Sequence, residues 1–194
     1  GMTWSYQDWT HAGNRNVRQV YWRTVQHLPG GSTWGYSLWF ANDSSKYFHG
    51  VAQVRDWDGN GHKRWTFDNT TTPGGTNGLL TKYEDLAPSA GGAVKTEQVY
   101  GWNTAARRYV ESVTTTVDPG SGNAKTSKST QVLDSYGNVT QSRAYDFGNL
   151  TTPARETNIQ YLTDWNYVQP YRGIRNRATT ATVTTAAARS GSPS

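Results

Sequence analysis

The sequence predicts an all-β protein, an antiparallel meander of about ten strands forming curved sheets. Three observations carry this. No segment holds a 3.6-residue apolar period over eleven or more residues. Short strand-like runs recur, each closed by a turn signal. The composition suits strands and turns: nine Trp, twelve Tyr, 20 Gly and 7 Pro in 194 residues, with aromatic residues and Thr favouring strands and Gly and Pro supplying turns.

Val17 to Gln26 is the first predicted strand. Pro29-Gly30-Gly31-Ser32 turns the chain, and Trp34 to Phe40 returns. Phe48 to Arg55 and His62 to Asp68 flank the turn Asp56-Trp57-Asp58-Gly59-Asn60-Gly61. A polar loop runs from Asn69 to Gly78. Leu79 to Leu86 and Ala93 to Trp102 flank a turn at 88–92. Tyr109 to Val117, Ala124 to Leu133, Val139 to Tyr145 and Arg155 to Tyr161 follow, separated by turns at 119–123, 134–138 and 146–149. Leu162 to Arg175 is irregular, with one helical turn near Asp164. Thr179 to Thr185 is the last strand. Short connections make sequential antiparallel pairing the default. The alternation is weak on both faces, so such strands need a further sheet, or more of the same chain, to cover them.

The chain reads as one domain over 1–185 with a flexible tail at 186–194, where the residues are small and polar. The opening Gly1-Met2 reads as a leftover of cloning and is set aside from fold reasoning. Hydrophobic residues make up 34% and mean hydropathy is −0.80. A disordered chain would lack the aromatic content. The absence of cysteine excludes disulfides, thiolate metal sites and a cysteine nucleophile. No run approaches the roughly 20 apolar residues that span a bilayer. The net charge of +5 is scattered singly. Even the densest groups, Arg172, Arg175 and Arg177, and Arg107 with Arg108, read as solvated side chains, not a nucleic-acid stripe.

Two turns share a pattern. Leu133-Asp134-Ser135-Tyr136-Gly137-Asn138-Val139-Thr140 and Ala144-Tyr145-Asp146-Phe147-Gly148-Asn149-Leu150-Thr151 both run Asp, aromatic, Gly, Asn, apolar, Thr, the second one spacer short. Asp caps its own turn, Gly accepts positive φ and Asn tolerates the left-handed region. Asp56 to Asn60 is a third, looser member. These residues resemble the RHS/YD-repeat family, whose units carry a Tyr-Asp-x-x-Gly signature. Further similarity lies in Tyr47 to Val54, Gly78 to Asp85, Ile174 to Arg177 and Ala181 to Val183, so the resemblance runs from about Val17 to Thr185.

The resemblance implies that the chain is a fragment of a strand-built shell in a large secreted or cell-surface bacterial protein. The shell would enclose or present a toxin module or other partner. The autoproteolytic core and toxic module of such proteins have no counterpart here, so the expectation is a non-catalytic structural segment without a cofactor.

Asp56, Asp58 and Asn60 match the first half of a calcium loop, D-x-D-x-N-G, but Phe67 stands where a chelating Glu belongs. A hairpin turn is the expectation there, with no metal. The four histidines, His11, His27, His49 and His62, form no ligand spacing; a hairpin could bring His49 and His62 together. Trp34, Tyr36 and Trp39 could stack on glycans, making a glycan-binding surface module the alternative function. The expected role of most aromatic rings is to fill the core. No nucleophile elbow, phosphate loop or dinucleotide fingerprint occurs. The uncharged Thr179 to Thr185 strand is expected to lie at an open edge, available for self-association.

Overall fold

Runs of Val, Thr and aromatic residues, cut by Gly, Asn and Asp, pair as twelve strands in this computed structural model, which describes residues 1–26, 33–56, 58, 60–70, 76–87, 92–168 and 173–186. The strands are β1 (Met2–His11), β2 (Arg15–Gln26), β3 (Thr33–Phe40), β4 (Val51–Arg55), β5 (Gly61–Phe67) and β6 (Leu80–Leu86), followed by β7 (Val94–Asn103), β8 (Tyr109–Val117), β9 (Lys125–Leu133), β10 (Val139–Tyr145), β11 (Arg155–Tyr161) and β12 (Ala178–Thr185). Sheet order equals chain order, so each strand neighbours the next and β1 and β12 are the terminal strands of an antiparallel meander. The only α-helical element among the described residues is one turn, Trp165–Val168. No helix among them is long and apolar enough to cross a membrane.

The predicted strands over 109–117, 139–145 and 155–161 have the bounds seen in the structure. Two regions differ from expectation. The sequence reading missed β1: Met2, set aside with Gly1, opens a strand that pairs along its whole length with β2. Gly13 and Asn14, at φ 72° and 56°, make its tight return. β4 starts at Val51, not Phe48: the chain bends at Lys46 to Phe48, and pairing begins at Gly50, whose N bonds to Ala41 O and whose O accepts from Phe67 N. The turn expected at 29–32, residues 88–91 of the turn expected at 88–92, residues 71–75 of the 69–78 loop, His27, Arg172 and residues 187–194 lie outside the described residues.

Within the span read as one domain, the chain forms two compact units, Gly1–Tyr100 with Thr116–Ala124 and Gly101–Thr115 with Lys125–Ser194. In the first, cross-strand pairing aligns Trp39, Gln53, Arg64, Glu84 and Glu97 into one row over β3 to β7. In the second, Thr130, Arg143, Glu156 and Thr184 form a row over β9 to β12, beside another of Val132, Gln141, Asn158 and Thr182.

The core is where expectation fails most. Among the described residues Leu86, at 6% exposure, is the only buried hydrophobic side chain. Many of the rings expected to fill a core are exposed, Trp4, Tyr6, Trp9, Tyr21, Trp39, Tyr136, Trp165 and Tyr167 among them, while others such as Trp65 and Tyr83 are half-buried. What lies buried instead is polar: His11, Gln19, Asn77 and Glu84. Gly35 marks one close approach, since a Cβ there would meet Trp22 Cζ2 at 2.5 Å, so the glycine lets the Trp22 ring lie across β3.

Candidate interaction surface

The repeat turns are built by local hydrogen bonds. Asp134 N donates to Asn138 O at 2.9 Å. Asn138 N and Nδ2 donate back to the two Asp134 carboxylate oxygens, each at 2.9 Å, and Tyr136 N donates at 2.8 Å. Gly137, at φ 90°, supplies the left-handed residue that a type I turn with a bulge needs. The Asp56 turn repeats the scheme 78 residues earlier: Asp56 N donates to Asn60 O at 3.0 Å, and Asn60 N and Nδ2 donate to the Asp56 carboxylate at 2.8 and 3.3 Å. Partial burial pushes both carboxyls up, but the hydrogen bonds from the paired Asn outweigh it and hold both below the usual range.

The shorter copy is built differently. Asp146 offers its backbone oxygen to Asn149 N, and Asn149 Oδ1 instead accepts from Thr151 and Thr152. The missing spacer therefore changes the turn, and the looser sequence member at Asp56 is the true geometric mate of Asp134.

That geometry bears on the calcium reading. Asp56 Oδ1 holds Asn60 N, and Oδ2 lies 3.1 Å from His62 Nε2. Trp57 and Gly59 lie outside the described residues, and no group of three or more His, Asp or Glu that could hold a metal occurs among the described ones. Titration with micromolar Ca²⁺ is expected to leave the melting temperature unchanged; a rise reversed by chelator would restore the metal reading.

Cross-strand ion pairs hold the faces. Arg64 donates from Nε and Nη2 to Glu84 at 2.6 and 2.8 Å. Glu84 sits at 2% exposure and directly opposite Glu97, a like-charge pair that would destabilise the sheet alone. Lys82 Nζ bridges them, at 3.1 Å from Glu84 and 3.3 Å from Glu97. The Arg64 hydrogen bonds hold the Glu84 carboxyl below its ordinary range against the effect of burial. In the second unit Arg143 Nε donates to Glu156 at 2.7 Å, and Gln141 and Asn158 fill the remaining acceptors.

Four of the exposed rings carry cations. Guanidinium groups lie over Trp4 (Arg23, 4.9 Å), Tyr6 (Arg18, 5.2 Å), Trp39 (Arg55, 4.6 Å) and Tyr136 (Arg175, 4.7 Å). Of the three residues read as a glycan platform, Trp39 is 40% exposed, Tyr36 is half-buried edge-on to His62, and the Trp34 side chain lies outside the described residues.

His49 and His62 have separate surroundings. His49 packs edge-on to Phe40 and Phe67, each at 5.0 Å, with Gln19 Nε2 3.5 Å from its Nδ1; His62 faces Asp56 and Tyr36. Burial, and secondarily the charge of His11, lowers the His49 pKa. Its folded pKa lies below its unfolded one, so the unfolded chain gains the proton first as pH falls. Stability is therefore full above about pH 6.5 and declines below it. The melting temperature is expected to fall between about pH 7.5 and 5.5, with a smaller fall in His49→Phe; equal falls in both proteins would remove His49 as the cause.

In the second unit a trough of about 450 Å³ lies over β8 to β11, with Ser112, Ser129, Ser142, Ala144, Arg155 and Thr157 among its lining residues. Its lining mixes short side chains with Glu111, Gln131 and Arg143. No protein-family model matches the chain, and no curated protein or solved structure is significantly similar to it.

Proposed function

We propose that this chain is a non-catalytic segment of a β-strand wall in a larger RHS/YD-repeat protein, secreted or displayed at the cell surface, and that the wall encloses or presents a partner or toxin module. The observation that carries this reading is the uncovered sheet. Twelve strands bury a single hydrophobic side chain among the described residues, whereas a self-sufficient domain packs two layers around one core. A face of this kind gains a partner by being covered, and the trough over β8 to β11 leaves room for one.

Two further observations support it. Asp56 and Asp134 are engaged in matching turns, as repeats of one unit would be. The clustered charged groups, Arg64, Lys82, Glu84, Arg143 and Glu156, hold strands to one another. A glycan-binding surface built on Trp39 fits less well, because sugar stacking needs a bare ring face and the Arg55 guanidinium lies over that ring.

An antibody against the chain tests this in the native organism. The wall reading expects a polypeptide well above 21.5 kDa in the secreted or surface fraction, with limited proteolysis leaving a second module protected beside the sheet. A free protein of about the chain's own mass that binds a glycan array, and loses binding in Trp39→Ala, would establish the alternative.

A further inference from the structure

We propose that β12 is a self-complementary edge that joins two copies of this chain by antiparallel strand pairing about a two-fold axis at Thr182. This goes beyond the wall reading and does not depend on a partner module.

β12 pairs on one side with β11, from Arg155↔Thr185 to Gln160↔Thr180, and is the last strand of the sheet. All eight of its residues are exposed. Ala186 N donates to Ala154 O at 2.9 Å. Inward- and outward-directed backbone groups alternate along an antiparallel strand. Thr184, Thr182 and Thr180 therefore turn their N–H and C=O groups toward β11, and Ala181, Val183 and Thr185 turn theirs to the free edge. Among the described residues no strand pairs with that outer side of β12, and an uncharged row of such donors and acceptors is what sheet proteins normally protect.

The sequence of that row names its occupant. Thr179-Thr180-Ala181-Thr182-Val183-Thr184-Thr185 reads nearly the same in both directions from Thr182. A two-fold contact needs one patch complementary to itself. With the axis at Thr182, Ala181 of one copy faces Val183 of the other, and these are the residues whose backbone groups point outward, so the pair can exchange both hydrogen bonds. Thr180 faces Thr184, Thr182 faces Thr182, and Thr179 faces Thr185. Each is a Thr–Thr cross-strand pair, a favourable combination, and no like charges meet. The rows ending at Thr182 and Thr184, which carry Asn158 and Glu156 behind them, would continue into the second copy on the same face.

The experiment uses the full chain and single cysteines, since the chain has none of its own. Sedimentation should show a concentration-dependent dimer. Thr182→Cys should form a disulfide dimer under mild oxidation, because a non-hydrogen-bonded pair puts the Cα atoms about 4.5 Å apart, within disulfide reach. Thr180→Cys alone should not crosslink, the two thiols lying about 13 Å apart at strand rise, but should crosslink when mixed with Thr184→Cys. Val183→Pro removes an outward N–H and leaves the β11 ladder whole, so it should weaken the dimer at least tenfold with an unchanged circular dichroism spectrum. A monomer at every concentration, a ladder of larger oligomers as head-to-tail contact with β1 would give, equal crosslinking at 180 and 182, or a dimer indifferent to Val183→Pro would each overturn the proposal.

Discussion

Replacing Arg64 with alanine is expected to destabilise the chain by about 3 kcal/mol, because it leaves a buried carboxylate with half its partners. Glu84 is 2% exposed and receives two charge-assisted hydrogen bonds from Arg64. Lys82 remains against it, which places the loss at the lower end of the 3–5 kcal/mol typical of a broken buried pair. For a chain of this size that is a fall of about 6–12 °C in melting temperature. The double variant Arg64→Leu with Glu84→Leu should recover most of the loss, since replacing both charges removes the desolvation penalty with the attraction. A single variant within about 0.5 kcal/mol of the parent, the range of ordinary surface substitutions, would show that the ladder holds nothing together. The acid limb follows the same group. Glu84 is depressed when folded, so its contribution is complete above the ordinary Glu pKa of about 4.3 and is lost as pH falls through the lower folded value.

The second large effect is at the repeat turns. Asp134→Ala removes the acceptor for Asn138 N, Asn138 Nδ2 and Tyr136 N. Bonds to a charged acceptor contribute about 1.5–3 kcal/mol each, but at a turn reached by solvent the three together should amount to about 2 kcal/mol. Asp56→Ala should destabilise the chain in the same direction, as Asn60 N and Nδ2 lose the matching acceptor there. Asp146→Ala should stay within about 0.5 kcal/mol, because among the described residues its carboxylate makes no such bonds. Chemical denaturation of the three variants checks this ordering. Equal losses at all three positions would mean that sequence likeness, and not turn geometry, sets their role.

Most of the strand pattern could be read from turn chemistry. Gly and Asn at 137–138 and the Asp118-Pro119-Gly120 break delimit β8, β9 and β10 closely because each turn residue has a specific backbone job. β1 is hard to read because its alternation is blurred by polar residues, although Gly13-Asn14 is itself a hairpin signal. The ion ladder was out of reach for another reason. Arg64 and Glu84 meet only through strand register, and a one-residue slip would send them to opposite faces. The exposure of the rings was likewise hidden. Aromatic content states how much area could be buried, whereas sheet order decides whether anything stands opposite to bury it.

The heat capacity of unfolding tests the uncovered wall most directly, since it reports the apolar surface that folding removes from water. An ordinary domain of 194 residues would give about 2.3–2.9 kcal/mol/K. A sheet whose only buried hydrophobic side chain among the described residues is Leu86 should fall clearly below that range in scanning calorimetry of the chain. A value inside the range would mean that the chain covers its own faces, and would contradict the account of it as a wall awaiting a partner.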